Sequence, residues 1–333
     1  MTTSPPADAA VPEPRPGPAR VLRGAGRAAR LVGRRLALLV LLLAVVFTAV
    51  EILPGDAAGA TADRGAGATE LRARRTALGL DRPLASRFWD WMTGLPTGDL
   101  GTTARGRPVT DVLAGPFPNT LLLGALALVL ALGGALLLGG WATLRPGGRT
   151  DRTIDATATA ALALPEFVVS VLLLLLLSRW TGWLPAVTLT GPDGRPESWT
   201  MLVLPLLALA IPQIGWNTRI VRGALTDQAT LPHVKAAVLD GLSRHRVLTH
   251  HMLPGALPAV AAGIATSAGM LLGGAVVVET LFNYPGIGAV LADALADRDT
   301  PLVAGVVAAA GAAINLLLLL ADLARTTALG ERR

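Results

Sequence analysis

The chain has 333 residues, of which 52% are hydrophobic and only 16% charged, with a mean hydropathy of +0.54 and a formal net charge of +6. Soluble domains carry about 25% charged residues, so this composition points to a membrane protein. There is no cysteine, which excludes disulfides, thiolate catalysis and cysteine zinc sites. The sequence pI is near 11.1, but the arginines cluster beside apolar runs rather than along one polar domain. That is the mark of membrane orientation and not of nucleic-acid binding.

Residues 1–30 read as a disordered, proline-rich and basic tail. The apolar run Leu36–Phe47, behind Arg34 and Arg35, has the shape of a signal peptide or of an uncleaved first span. The spans that follow favour the second, at residues 31–53. Further spans are predicted at roughly 118–143, 154–178, 200–223, 255–282 and 302–325, each near the ~20 apolar residues that a ~30 Å hydrocarbon core requires. Six spans put both termini on one side. Arg145, Arg149 and Arg152, then Lys235, Arg244 and Arg246, then Arg325, Arg332 and Arg333 make that side the cytoplasm. The opposite loop 283–301 sets Arg298 against Asp293, Asp297 and Asp299.

The segment 54–117 is predicted to lie outside the cell and to contain helices. Thr69-Glu70-Leu71-Arg72 has the form of a helix start. Leu84, Phe88, Trp91, Met92 and Leu95 fall on one apolar helical face, suited to the membrane surface, to an outside partner, or to both.

Several chemistries have no support. Lys235 is the only lysine and stands outside any G-x-x-x-x-G-K-[ST] loop, so this chain has no ATPase site of its own. His233, His245, His250 and His251 share one loop without the spacing of a zinc hydrolase, and no G-x-S-x-G turn occurs. Neither a catalytic residue nor a metal site is expected.

That loop, 224–254, is the most informative part of the chain. Pro232 suits the first turn of a helix and Gly241 the left-handed position just past its end, which predicts a short helix over 232–240. A second helical piece is predicted from Ser243 to Pro254. Thirty structured residues exceed what a connector between spans requires.

Here the chain resembles the permeases of binding-protein-dependent ABC importers. Their loop pattern E-A-A-x(3)-G-x(9)-I-x-L-P appears as Lys235-Ala236-Ala237, Gly241, His251, Leu253 and Pro254, with Lys235 in place of the acid and His251 in place of the isoleucine. Pro232 and His233 stand where the family's peptide branch has an acid and a tyrosine. Other segments resemble that dipeptide, oligopeptide and nickel branch: Leu53-Pro54-Gly55-Asp56, Leu78-Gly79-Leu80-Asp81-Arg82-Pro83, Gly98-Asp99-Leu100-Gly101 and Arg107-Pro108-Val109. So do Gly273–Gly288, with Glu279 and Asn283-Tyr284-Pro285-Gly286, then Arg298-Asp299, Asn315 and Asp322.

The resemblance implies an all-α integral membrane protein with the six-helix fold of type I importer permeases and a large extracytoplasmic segment between the first two spans. It implies one permease subunit in a bacterial plasma membrane, both termini cytoplasmic, importing peptides or related small solutes. The implied partners are a second, homologous permease, two cytoplasmic ABC ATPases that hydrolyse ATP with magnesium, and an extracytoplasmic solute-binding protein. No cofactor is implied for this chain. Pro232, His233, Lys235, Ala236, Ala237, Gly241, Leu253 and Pro254 would form the coupling loop to the ATPase.

Ionisable and amide groups inside spans are costly and become candidates for the translocation pathway. They are Glu166, Gln213, Asn217, Glu279 and Asn315. Interhelical hydrogen bonding accounts for Gln213 and Asn315; Glu166 and Glu279 suit pathway and packing equally. Arg219 and Arg222 are expected to snorkel to the interface. A transporter driven by an ion gradient is the rival from another class, with Glu166 and Glu279 as its thin support.

Overall fold

A computed structural model of the chain describes residues 18–62, 66–192 and 194–330, and the side chains among them at 30, 32–62, 66–192 and 194–319. The tails at 1–17 and 331–333 and the side chain of Asp322 lie outside the described residues. The regular structure of the described residues is helical, apart from two isolated β-bridges. Among the described residues five helices are long and apolar enough to cross a membrane, and a sixth crossing results if one sharply bent pair counts as a span.

The first helix, α1 (Pro18–Ile52), begins well before the apolar run, so residues 18–30, expected to be disordered, are helical. Short helices α2 (Ala57–Ala60), α3 (Ala68–Ala77), α4 (Leu84–Gly94) and α5 (Val109–Leu113) follow. Then comes the long α6 (Pro116–Leu144). Its face toward α9 (Thr200–Ala229) carries Ala127, Ala131, Ala135 and Gly139, one residue every fourth position. In lipid, helices associate by close backbone approach rather than by apolar burial, and small residues permit that approach. A Cβ on Gly139 would stand 2.8 Å from a methyl of Val221, so the two helices meet as closely as side chains allow.

The predicted span 154–178 is broken. Helices α7 (Arg149–Ala163) and α8 (Glu166–Leu173, continued by a wide turn over Leu174–Trp180) bend by 102° at Leu164-Pro165. A proline excludes the residue before it from helical geometry, and Leu164 is accordingly extended (φ −84°, ψ 125°).

After α9 comes the short α10 (Pro232–Leu239), then one turn, α11 (Arg244–Arg246). A wide turn, Val247–Met252, runs on into α12 (Leu253–Phe282). The second piece predicted to end at Pro254 therefore continues without interruption, and 244–282 is one rod. Proline normally clashes with the carbonyl four residues back, and the wide turn supplies the slack. Helices α13 (Ile287–Ala296) and α14 (Thr300–Gly330) complete the chain.

The amphipathic α4 neither lies apart nor keeps its apolar face for a partner. Phe88 and Trp91 are buried against Leu43 and Phe47 of α1 and Ala304 and Ala308 of α14. The Phe47 and Phe88 rings meet edge to face at 5.5 Å. The 54–115 segment is thus fastened to the bundle by aromatic packing.

Candidate coupling and pathway sites

At one end of the bundle, α10 lies across the base of α9 and the wide turn. Val234 and Ala237, three residues apart, face inward, 2% and 4% exposed, against Leu225, Val247 and Met252. Ala237 fits because a methyl fills the space between helices; Ala236 beside it is exposed. The stop is as predicted. Gly241 takes φ +75°, its N–H donates to Val238 O, and Leu242 N–H donates to Ala237 O, which together close a Schellman turn. A ring nitrogen of His233 lies 3.4 Å from the carbonyl of His251, tying α10 to the wide turn.

The outer face of α10 presents Lys235, Val238 and Leu239; Leu239 is 86% exposed. Beside it a groove of ≈ 610 Å³ runs between α10 and the α6 terminus, lined by Leu144, Pro146, Val238, Leu242 and Val247 among others. Two aliphatic side chains, Val238 and Leu239, are thus exposed on a helix seated by Val234 and Ala237. Leu253 and Pro254 belong to the rod beneath it and are half-buried.

The same end carries a clamp that the sequence did not reveal. Arg222 of α9 donates from Nε and Nη2 to Asp151 of α7 at 2.6 and 3.1 Å, and Gly147 N–H donates to the same carboxylate. Arg222 is therefore held in a bidentate pair instead of snorkelling; Arg219 is exposed, as expected.

The five in-span polar residues divide. Glu166, Gln213 and Asn217 come together around the α7–α8 break. The Glu166 carboxylate lies within interaction range of the Gln213 side chain and over Gly274 of α12, where a Cβ would collide with it. Asn217 donates to Gln213 O at 2.9 Å and to Ser267 Oγ at 2.7 Å, joining α9 to α12. The Gln213 Oε1, on a side chain 3% exposed, has no partner.

Glu279 stands elsewhere, at the opposite end of the bundle from α10 and fully buried. Thr120 Oγ1 donates to its Oε1 at 2.6 Å, Gly288 N–H donates to its Oε2 at 2.7 Å, and Ile287 N–H donates to Thr120 Oγ1 at 2.9 Å. Asn119 donates to Pro285 O at 2.8 Å and accepts at its own carbonyl from the Tyr284 hydroxyl at 2.9 Å. Burial and the nearby Glu279 carboxylate push the Tyr284 phenol up to about 12, so it stays a donor. The motif Glu279–Gly288 is thus a closed knot tying α6, α12 and α13. Asn119 and Thr120, the only strongly polar pair opening a charge-free apolar run, were the signal for it. Asn315 donates to Gly311 O of its own helix rather than across helices, and is apart from both clusters.

The loop segments singled out in the sequence are caps and turns. Asp299 caps α14 by accepting from Leu302 N–H at 3.1 Å, and also accepts from Ala104 N–H at 2.6 Å. Burial pushes its carboxyl above the usual range.

A bundle of apolar helices with a helix seated across one end and its aliphatic face exposed is the architecture of a membrane transport permease. The profile described as "Binding-protein-dependent transport system inner membrane component" matches residues 135–327, and that of its N-terminal region matches 28–123. A probable peptide ABC transporter permease protein of Sinorhizobium fredii is 30% identical over 283 residues, 84% of this chain and 90% of that protein. A glutathione transport system permease protein of Pectobacterium atrosepticum is 34% identical over 266 residues, 80% and 85% of the two chains. An inward-facing structure of the MetNI methionine ABC transporter is similar in fold, with a TM-score of 0.50 at 17% identity over 66% of this chain and 94% of that one. The chain belongs to the family of binding-protein-dependent transport system inner membrane components.

Proposed function

We propose that the chain is one of two permease subunits in an ATP-driven importer of peptides or related small solutes, in a bacterial plasma membrane. Both termini are cytoplasmic, the α7–α8 pair counts as the third of six spans, and 54–117 lies outside, where a solute-binding protein delivers cargo. The core permease runs over 118–328, after a first span at 31–53, and 224–254 forms the coupling loop. The solute class is supported by the likeness to permeases named for peptide and glutathione transport.

The observation that carries the coupling role is the exposed Val238–Leu239 tip on a helix anchored by Val234 and Ala237. Two ABC ATPases with bound ATP and magnesium would each grip such a helix, one on this chain and one on its homologous partner. Their closure moves the helices as rigid bodies and switches access from one side to the other. This chain catalyses nothing and binds no cofactor. Glu166 faces the pathway with the buried Gln213 and Asn217 behind it, whereas Glu279 holds the bundle and Asn315 bonds within its own helix.

The test is Gly241→Leu in the complete importer. A β-carbon at φ +75° costs ~1–2 kcal/mol, and the bulk of leucine falls beside the docking tip. Uptake is expected to fall while membrane insertion and subunit assembly persist. Normal uptake by this variant would remove the coupling assignment.

A further inference from the structure

We infer that Glu166 and Gln213 form a cation-selective point in the pathway, a station for a protonated amine such as the amino end of a short peptide. This rests on the permease reading above.

Three observations meet here. The first is the break itself. At Leu164-Pro165 the helix turns by 102°, and Glu166 opens the second arm with its side chain only half-buried. Discontinuous helices within a membrane are found where backbone lines a cavity, and an acid placed there is a candidate contact for what passes.

The second is an imbalance of donors and acceptors. Among the described residues no arginine, lysine or histidine forms an ion pair with Glu166. The polar side chain nearest it in effect is Gln213, whose own Oε1 is buried and unpartnered. A buried acceptor without a donor costs about 1–3 kcal/mol. The neighbouring Asn217 cannot relieve it, because its amide is already committed to Gln213 O and Ser267. The cluster therefore carries one carboxylate without a basic partner and a spare amide oxygen. A primary ammonium has three N–H donors and one positive charge, the complement of that set. A carboxylate or phosphate group would instead be repelled by the Glu166 charge.

The third is the room left around the carboxylate. On α12, Gly274 has no side chain, and any Cβ there would strike the Glu166 oxygens. Next to it, Gly273 is exposed, with open space where its Cβ would be.

The chain contains no cysteine, so a single Gly273→Cys thiol reports on this spot without background. In the assembled importer, in membranes open on both sides, that thiol is reacted with a trimethylammonium-bearing and a sulfonate-bearing methanethiosulfonate. A nearby carboxylate attracts one reagent and repels the other, so the cationic reagent is expected to react faster by about tenfold or more. Adding Glu166→Gln should bring the two rates together, and adding Glu166→Asp should preserve the preference. Equal rates with Glu166 present overturn the inference, as they would if a basic residue of the second permease neutralised the acid. A thiol inert to both reagents overturns it too, because the acid would then face no aqueous path. Neither result touches the coupling assignment, which stands or falls on uptake by Gly241→Leu.

Discussion

Replacing Gly288 with alanine tests whether the Glu279 knot fixes the end of the bundle opposite α10. Gly288 has no need of glycine's conformational freedom, since it sits in the first turn of α13 without a positive φ. Its constraint is steric. A Cβ there would stand 2.6 Å from Val276 O and 2.9 Å from Val276 Cα, both backbone atoms of α12, and 3.0 Å from Glu279 Oε2. Backbone of a packed span cannot rotate away as a side chain can, so α13 must lift. That lengthens the Gly288 N–H bond to Glu279. Overpacking of this kind costs about 1–3 kcal/mol, and each kcal/mol lowers Tm by about 2–4 °C in a chain of this size class. The assay is the thermal midpoint of the detergent-solubilised importer, with Gly273→Ala, which meets open space, as the neutral control. Gly286→Ala supplies the internal check. Gly286 is extended at φ −112°, a conformation open to any residue, and the three atoms nearest to its Cβ would all belong to the Glu279 carboxyl. In a Glu279→Ala background, Gly286→Ala should therefore cost nothing more, while Gly288→Ala should keep its cost against Val276. Additive losses for the Gly286–Glu279 pair, or a Gly288→Ala midpoint within about 1 °C of wild type, would refute the reasoning.

Four further outcomes are expected. Val238→Asp with Leu239→Asp should abolish uptake without moving the thermal midpoint, because both side chains are solvent-exposed. Val234→Asp, 2% exposed beneath them, should lower the midpoint as well, by burying an unpaired charge. Asp299 has a folded pKa raised by burial, so the folded protein holds more protons there than the unfolded chain; its contribution is full below about pH 4 and is lost as pH rises through the raised value. Asp299→Asn should flatten that part of the stability–pH curve, and an unchanged curve would count against it. Asp151→Ala should lower stability by ~1 kcal/mol, a modest figure because Arg222 remains partly solvated; no loss would show the clamp to be incidental.

Much of the architecture was legible because membranes demand long apolar helices and because caps follow local rules. Pro232 and Gly241 bracket α10 to within a residue, and Thr69-Glu70 sits in the first turn of α3. What escaped was set by tertiary contact. Hydropathy averages over a window, so it smoothed across Leu164-Pro165 and gave one span where two arms exist. Periodicity identified the apolar face of α4 but could not say that Phe47 and Ala304 would cover it. Arg222 had the charge and position of a snorkelling residue; only the approach of α7 placed Asp151 opposite it. At the Glu166–Gln213–Asn217 cluster the residue types were visible in the chain, whereas the unpartnered Gln213 oxygen arises from the packing of α8, α9 and α12.

The uninterrupted helix from Arg244 to Phe282 has a mechanical consequence. Thirty-nine residues make a shaft roughly 58 Å long. One extremity lies under the docking tip and the other holds Glu279. Pivoted near its middle, such a beam moves its extremities in opposite directions, each by about 2–3 Å for a 5° tilt. A pull applied at α10 would thus be felt as a shear on the Thr120–Glu279 bond, with no intermediate relay required.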